Sequence, residues 1–333
     1  MTQPQGLVDV DHPEYVYKLQ RSLYGLKQAL RPWDERFTKV LLSLGFKSSY
    51  VDLSLFMKFN GQSIVVLLLY VDDIILTGSV ESHVQAMISQ LTKDFDMTDL
   101  GLLHYFLGLQ IEYQAQGIFV HQSKYVTYLL QKMNMLHCKS CITPCHPNHK
   151  LLNHGSPYVL DPSLYRSIVG ALQYLTFQRL DIAYSVNQVC QFMHSPLKDH
   201  FVAVKRILMY LQGTIGLGLC FKPGSMDIKA YTNADWSGDP NDRRSTIGFV
   251  VFLGSNPVSW SSKKQHTVSW SSTETEYRAM AITTAEVMWI QQLLKDLHLS
   301  SSSTPLLHCD KAKHIEVDYH FMRERVQQCI IVL

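Results

Sequence analysis

The sequence predicts an α/β chain throughout, and three stretches carry that prediction. Residues 64–78, IVVLLLYVDDIILTG, read as two short apolar strands meeting at a pair of acids, Asp72 and Asp73. Residues 163–212 hold three successive segments with helical spacing. After Lys222-Pro223-Gly224-Ser225 the texture changes to short alternating strands followed by one long helix, which marks a domain boundary.

Taken in order, residues 18–45 mix helical spacing with basic residues, and Pro32 interrupts the pattern. The run 64–77 is β-branched and too short for a core helix with a charge pair inside it, so strands are the better reading. Residues 82–95 form an amphipathic helix with Val84, Met87, Ile88 and Leu91 on one face. Strands follow at 104–113 and 118–121 around a Gln116–Gly117 turn, then a helix at 123–135. The Cys, His, Pro, Asn and Gly content of 138–162 marks a loop or linker. Helices at 163–176, 181–193 and 199–212 come next, the last closed by Gly213. Strands are expected at 227–233, 246–253, 257–260 and 266–270, a helix at 273–298, a strand at 305–309 and a last helix at 314–326.

Composition narrows the class. A chain of 333 residues with 46% hydrophobic and 17% charged residues has room for two or three domains with cores of their own. A net charge of +2 favours no partner by itself, but residues 21–47 hold six Lys/Arg against two Asp/Glu, a modestly basic face. Seven cysteines, an odd number in a long chain, point to reduced thiols. The N-terminus lacks an apolar signal-peptide core, and no uncharged apolar run approaches the roughly 20 residues of a membrane helix. An intracellular protein of the cytoplasm or nucleus is the expectation.

Asp72–Asp73 alone suits either a tight hairpin tip or a Mg²⁺ site, since adjacent carboxylates offer the oxygen ligands that Mg²⁺ shares with phosphates. The surrounding segments add to this. KLQRSLYGLKQALRPWDERF (18–37), LLLYVDDIILTG (67–78), DLGLLHYFLGLQI (99–111) and YRSIVGALQYLT (165–176) resemble, in that order, the reverse transcriptase of copia-type retrotransposon polyproteins. YTNADWSG (231–238), DRRSTIGFVVFLG (242–254), VSWSSKKQHTVSWSSTETEYRAM (258–280) and KHIEVDYHFMRERV (313–326) resemble the ribonuclease H domain of the same polyproteins. The resemblance implies a partial reverse-transcriptase palm at 1–115, a helical thumb-like and connection region at 116–222, and a ribonuclease H-like mixed sheet with flanking helices and an internal deletion at 223–333. It also implies Mg²⁺ or Mn²⁺ as cofactor, and primer-template and RNA–DNA hybrid as partners. Tyr70 to Asp73 would be the polymerase hairpin, with Asp72 and Asp73 binding metal. Tyr24, Gly25, Lys27 and Gln28 would lie near nucleotide and template, and the segment from Asp99 to Gly108 near the primer end. The family's other polymerase Asp belongs upstream of Met1, so polymerase activity from this chain alone is not expected.

Ribonuclease H sites of this kind gather four carboxylates around two metal ions. The resemblance places the first at residue 233, which here is Asn233, a ligand without the charge; Asp235, two residues on, keeps its acid. Two glutamates compete for the second role. Glu274 sits four residues before Arg278 and three after Ser271, as an ion pair or capping box requires. Glu276 shares a helix face with Met280, Thr283 and Val287, which points it at the sheet, and it also matches the family's catalytic Glu. Asp310 and Asp318 match the third and fourth acids and, with Glu276, the metal ligands. Only seven residues separate them, where the family has a helix and loop, so the last third is expected to be remodelled.

Arg243, Arg244, Lys263 and Lys264 are candidate phosphate contacts as well as ordinary surface charges. Leu180 stands where the family pattern has a Pro, in Arg179-Leu180-Asp181-Ile182, and the chain ends at Leu333, before the family's usual tail. His137, Cys138, Cys141, Cys145, His146, His149 and His154 offer a zinc half-site without a second well-spaced pair. Three readings follow: an inactive fragment of a copia-type polymerase and ribonuclease H, a non-catalytic binder of RNA–DNA hybrid, and a residual metal-dependent ribonuclease H.

Overall fold

The computed structural model describes residues 2–3, 5–16, 18, 30–147, 150–299 and 303–309. The chain divides into two compact units, Met1–Asp99 and Leu100–Leu333. The positions Tyr24, Gly25, Lys27, Gln28, Asp310 and Asp318, and the helix expected at 314–326, lie outside the described residues.

In the first unit, α1 (Leu30–Ser43) leads into four antiparallel strands in sequential order: β1 (Lys47–Ser48), β2 (Leu55–Asn60), β3 (Ser63–Tyr70) and β4 (Asp73–Gly78). Pro32 lies in the first turn of α1, where a missing N–H costs no intrahelical bond, so it helps start this helix rather than interrupting one. α2 (Glu81–Asp94) closes the unit. Period-two alternation turns Val65, Leu67 and Leu69 of β3 inward, where they meet Phe37 and Leu41 of α1 and Met87 and Leu91 of α2. The helix comes in close at the end of β4. A Cβ at Gly78 would stand 2.7 Å from the Ile64 carbonyl oxygen and 2.9 Å from a Val84 methyl, so only glycine fits there.

The second unit holds two sheets and a helical core. β5 (Tyr105–Phe106), β6 (Leu109–Gln114), β7 (Gly117–His121) and β8 (Gly218–Phe221) make an antiparallel sheet in that order. The β6–β7 turn is Ala115–Gln116, one residue earlier than expected. Between β7 and β8 run α3 (Ser123–Lys132), α4 (Pro162–Leu175), a 3-10 turn at Leu180–Ile182, α5 (Ala183–Cys190) and α6 (Lys198–Gln212). Their apolar stripes share one core, with Tyr165, Leu172, Val189 and Leu208 fully enclosed. The Tyr165 hydroxyl donates to the Val189 carbonyl at 2.8 Å, which satisfies its one buried polar group.

Residues 222–227 pass to the other sheet: β9 (Ile228–Ala234), β10 (Thr246–Leu253), β11 (Asn256–Lys264) and β12 (Leu306–Cys309), in the order β11-β10-β9-β12. β9 and β11 flank β10 antiparallel, while β12 runs parallel to β9. The helix α7 (Ser272–Asp296) packs Tyr277, Met280 and Val287 against Ile228, Ala230 and Val251. A single strand, β11, covers the expected 257–260, and 266–270 is no strand. There the buried Gln265 amide donates to the Thr275 carbonyl at 3.2 Å and accepts from Ser269 at 2.8 Å. That knot draws the chain onto the start of α7 before it can pair as a strand.

Candidate functional site

Two places carry the residues singled out by sequence. The first is the β3–β4 hairpin. Tyr70 pairs with Asp73, which leaves Val71–Asp72 as a two-residue turn. Val71 takes a positive φ of 53°, and the stretch Tyr70–Asp73 is exposed. The apolar strands thus rise out of the core and present both carboxylates at their tip.

The second is the end of β9. Ile228, Ala230 and Thr232 face inward, so alternation puts Lys229, Tyr231 and Asn233 on the opposite face of the sheet. The Asn233 side-chain oxygen accepts from the Ala234 N–H at 2.7 Å, so it is turned onto its own backbone. Asp235 lies beyond the strand. Its carboxylate accepts from the Thr246 N–H, while its own N–H donates to the Thr246 carbonyl at 3.1 Å. A Cβ at Gly238 would overlap that carboxylate, so the tight return needs glycine. The structure therefore makes Asp235 the clasp between β9 and β10; sequence distance hid this, because Thr246 lies eleven residues on.

The two glutamates of α7 take different places. Ser271 caps the helix by accepting from the Glu274 N–H at 3.1 Å, and Glu274 reaches back to the Trp270 N–H at 2.7 Å while pairing with Arg278. Glu276 is half-buried on the stripe that continues through the buried Met280, Thr283 and Val287.

The four basic candidates part company. Arg243 and Lys263 are exposed, and Arg244 lies 3.6 Å from the Asp242 carboxylate. Lys264 turns inward: its ammonium meets Asp239 at 2.5 Å, Asp242 at 2.9 Å and the Gln191 amide oxygen at 2.9 Å. Burial pushes the Asp239 carboxyl up, but the bonds from Lys264 and Asn241 and the Lys264 charge outweigh that and hold it below its ordinary range.

Above Asn233 the sheet face opens into a cleft of about 540 Å³. Gly248, which pairs with Asn233, contributes no side chain, and a Cβ there would meet nothing within 4 Å. Trp260 and Ser262 of β11 line it, together with Lys150 and Tyr184. Burial first, and then the nearby carboxylates of Asp235 and Asp239, raises the Tyr184 hydroxyl above its ordinary range. No local motif advertised Lys150 or Tyr184; only the fold brings them to Asn233.

A metal fits neither place on the described residues. Asp72 and Asp73 supply two carboxylates with no third among the described residues, Asn233 is neutral, and Asp235 accepts from the Thr246 backbone. Among the described residues no group of three or more His, Cys, Asp or Glu could hold a metal ion. That includes the described part of the Cys/His stretch, where the Cys141 thiol lies within reach of the Thr143 and Arg206 carbonyls and His146 bonds to Arg206.

Residues 1–147 match the family described as reverse transcriptase (RNA-dependent DNA polymerase). The Pol polyprotein of transposon RE1 from Arabidopsis thaliana is 44% identical over 343 residues, which covers 98% of this chain and 23% of that one. A transposon Ty5-1 protein of Saccharomyces cerevisiae is 31% identical over 289 residues, covering 86% of this chain and 94% of its own length. The chain belongs to the copia-type retrotransposon Pol family. It spans about a quarter of the RE1 polyprotein, at 23%. Among solved structures, a foamy viral protease-reverse transcriptase in complex with double-stranded DNA has 12% identity and a TM-score of 0.46, over 91% of this Pol chain and 48% of that one. Among the described residues, no helix of this Pol chain is long and apolar enough to cross a membrane.

Proposed function

We propose that this Pol chain carries the later part of a copia-type reverse transcriptase followed by a ribonuclease H-like domain, and that it does not turn over as it stands. The observation that carries the reading is Asn233. It sits at the end of a central strand flanked by one antiparallel and one parallel neighbour, on the position where the ribonuclease H resemblance requires a metal-binding Asp. An amide there removes a charge that two closely spaced divalent cations need, and its oxygen already accepts from Ala234. Glu276, Asp310 and Asp318 would be the remaining metal ligands, and Asp72 with Asp73 the polymerase pair. Mg²⁺ or Mn²⁺, when held by a complete set of these carboxylates, would activate water or a primer hydroxyl; Asn233 stands in that set without a charge. The free thiols of the six described cysteines suit a reducing compartment, the cytoplasm or the nucleus.

Binding without cleavage is the second reading. Arg243 and Lys263 remain exposed, so phosphates of an RNA–DNA hybrid could be held while the chemistry is lost. The test is cleavage of a labelled hybrid by the full chain with Mg²⁺ and with Mn²⁺, binding being recorded in the same samples at several salt concentrations. No cleavage is expected from the chain, and more from Asn233→Asp. Cleavage by the unmodified chain that disappears in Glu276→Gln would overturn the proposal. Binding that weakens steeply with salt would establish the second reading.

A further inference from the structure

A cavity of about 490 Å³ lies between α5, α6 and the linker residues 144–147 and 150–151, and none of the carboxylates considered above as catalytic lines it. Its walls are mainly apolar, with Leu151 from the linker, Val189 from α5, and Val202 and Ile207 from α6. Its charged groups are unbalanced: Lys150, Lys205 and Arg206 line it, against Asp199 as the one carboxylate among the lining residues.

Arg206 is the informative member. One end of its guanidinium donates to the Thr143 hydroxyl at 2.7 Å and another bonds to the His146 ring Nε2 at 2.9 Å. Arginine only donates, so this ring nitrogen accepts. The Arg206 Nε is buried and has no partner among the described residues. No carboxylate among them stands within ion-pair distance of Arg206 either. A partly buried guanidinium with no negatively charged partner among the described residues is costly without a counter-charge. The cavity beside it is large enough to admit one.

We propose that this cavity is a binding site for a small organic anion with an apolar body, the apolar part lying between α5 and α6 and the charge at Arg206, Lys150 and Lys205. The combination of an apolar enclosure with a few convergent polar groups is the usual make-up of a small-molecule site. The cavity shares Lys150 and Tyr184 with the cleft above Asn233, but the proposal does not rest on the ribonuclease H reading.

The experiment is a fluorescence titration of the full chain with 1-anilinonaphthalene-8-sulfonate, an apolar aromatic anion, with its neutral counterpart N-phenyl-1-naphthylamine as the control. One saturable site is expected for the anion, with the neutral probe at least tenfold weaker. Filling the space with Ala203→Trp should abolish binding, and the double change Lys150→Glu, Lys205→Glu should weaken it at least tenfold. The charge reversals lie on exposed side chains, so they still report if the filled variant does not fold. Competition by benzoate or by adenosine 5′-monophosphate tells a carboxylate ligand from a nucleotide. Equal binding of the neutral probe, undiminished binding in Ala203→Trp, or equal competition by inorganic phosphate would each overturn the proposal.

Discussion

At the scale of residues, Val71 and Asn233 show what single side chains do at these two places. Val71 is β-branched, yet it holds a φ of 53° at the hairpin tip. Left-handed backbone of this kind costs about 1–3 kcal/mol outside glycine. The side chain recovers little of that by burial, being 48% exposed. Val71→Gly should therefore stabilise the first unit by about 1 kcal/mol, after the extra freedom glycine gives the unfolded chain is subtracted. A denaturant series would show it as a higher midpoint at unchanged slope; a lower midpoint would mean that Val71 earns its conformation by contacts. Asn233 is the opposite case. Its backbone position is ordinary strand, and only the identity of its side chain sets it apart from a metal-binding carboxylate.

At the scale of elements, the 3-10 turn between α4 and α5 explains the pattern Arg179-Leu180-Asp181-Ile182. Arg179 is buried and grips Asp181 with two bonds, 2.9 and 2.6 Å, while donating to the carbonyl and hydroxyl of Thr214 at 3.0 and 2.8 Å. Tyr210 adds a bond to Asp181 at 2.9 Å, so the turn is tied to the end of α6. Leu180 is the first residue of that turn, where proline's fixed φ is helical and its missing N–H costs no bond within the turn. Arg179 before it has φ −98° and ψ 80°, outside the helical region that proline forbids its predecessor. Leu180→Pro should thus raise stability by about 0.4–1 kcal/mol, seen as a higher thermal midpoint with unchanged far-ultraviolet circular dichroism. A drop would show that Leu180 packs in a way its 40% exposure does not suggest. Elements of this sort were legible in sequence when their signal was local. The hairpin at 63–78 announced itself as β-branched apolar runs, too short for a core helix, on both sides of two acids, and α7 by its cap and stripe. The stretch 266–270 misled because its alternation is real, whereas the force that bends it comes from Thr275, on the following helix. Lys264 misled for the same reason: its acids, Asp239 and Asp242, lie on a turn two strands back.

At the scale of the whole molecule, groups far apart in sequence set how stability should follow pH. Burial, above all, lowers His200 below the ordinary value of 6.5, against the Leu152 carbonyl and Asp199, which raise it. Its ring accepts from the Leu197 N–H at 3.0 Å on Nδ1 and donates to the Leu152 carbonyl at 2.8 Å on Nε2, with Phe192 stacked at 3.7 Å. The native ring is therefore the neutral tautomer with its proton on Nε2, and it joins the linker to the start of α6. Between the folded and unfolded values the unfolded chain binds the extra proton, so stability must fall as pH drops below about 6.5 and level off beneath the folded value. Asp239 and Asp181 act lower on the scale. Burial alone would raise both carboxyls, but Lys264 and Asn241 at one, and Arg179 and Tyr210 at the other, hold them below 3.8. Their contribution is complete above the unfolded carboxyl value and is lost as pH falls through the folded one. Acid should consequently weaken the second unit in two steps, one starting near 6.5 and one below about 4. His200→Gln can keep both hydrogen bonds without titrating, so it should remove the upper step and leave the lower one. Urea midpoints measured from pH 7.5 to 3 on both proteins decide this. Parallel curves across the upper range would place the pH response in other histidines and deny His200 its part in holding the linker.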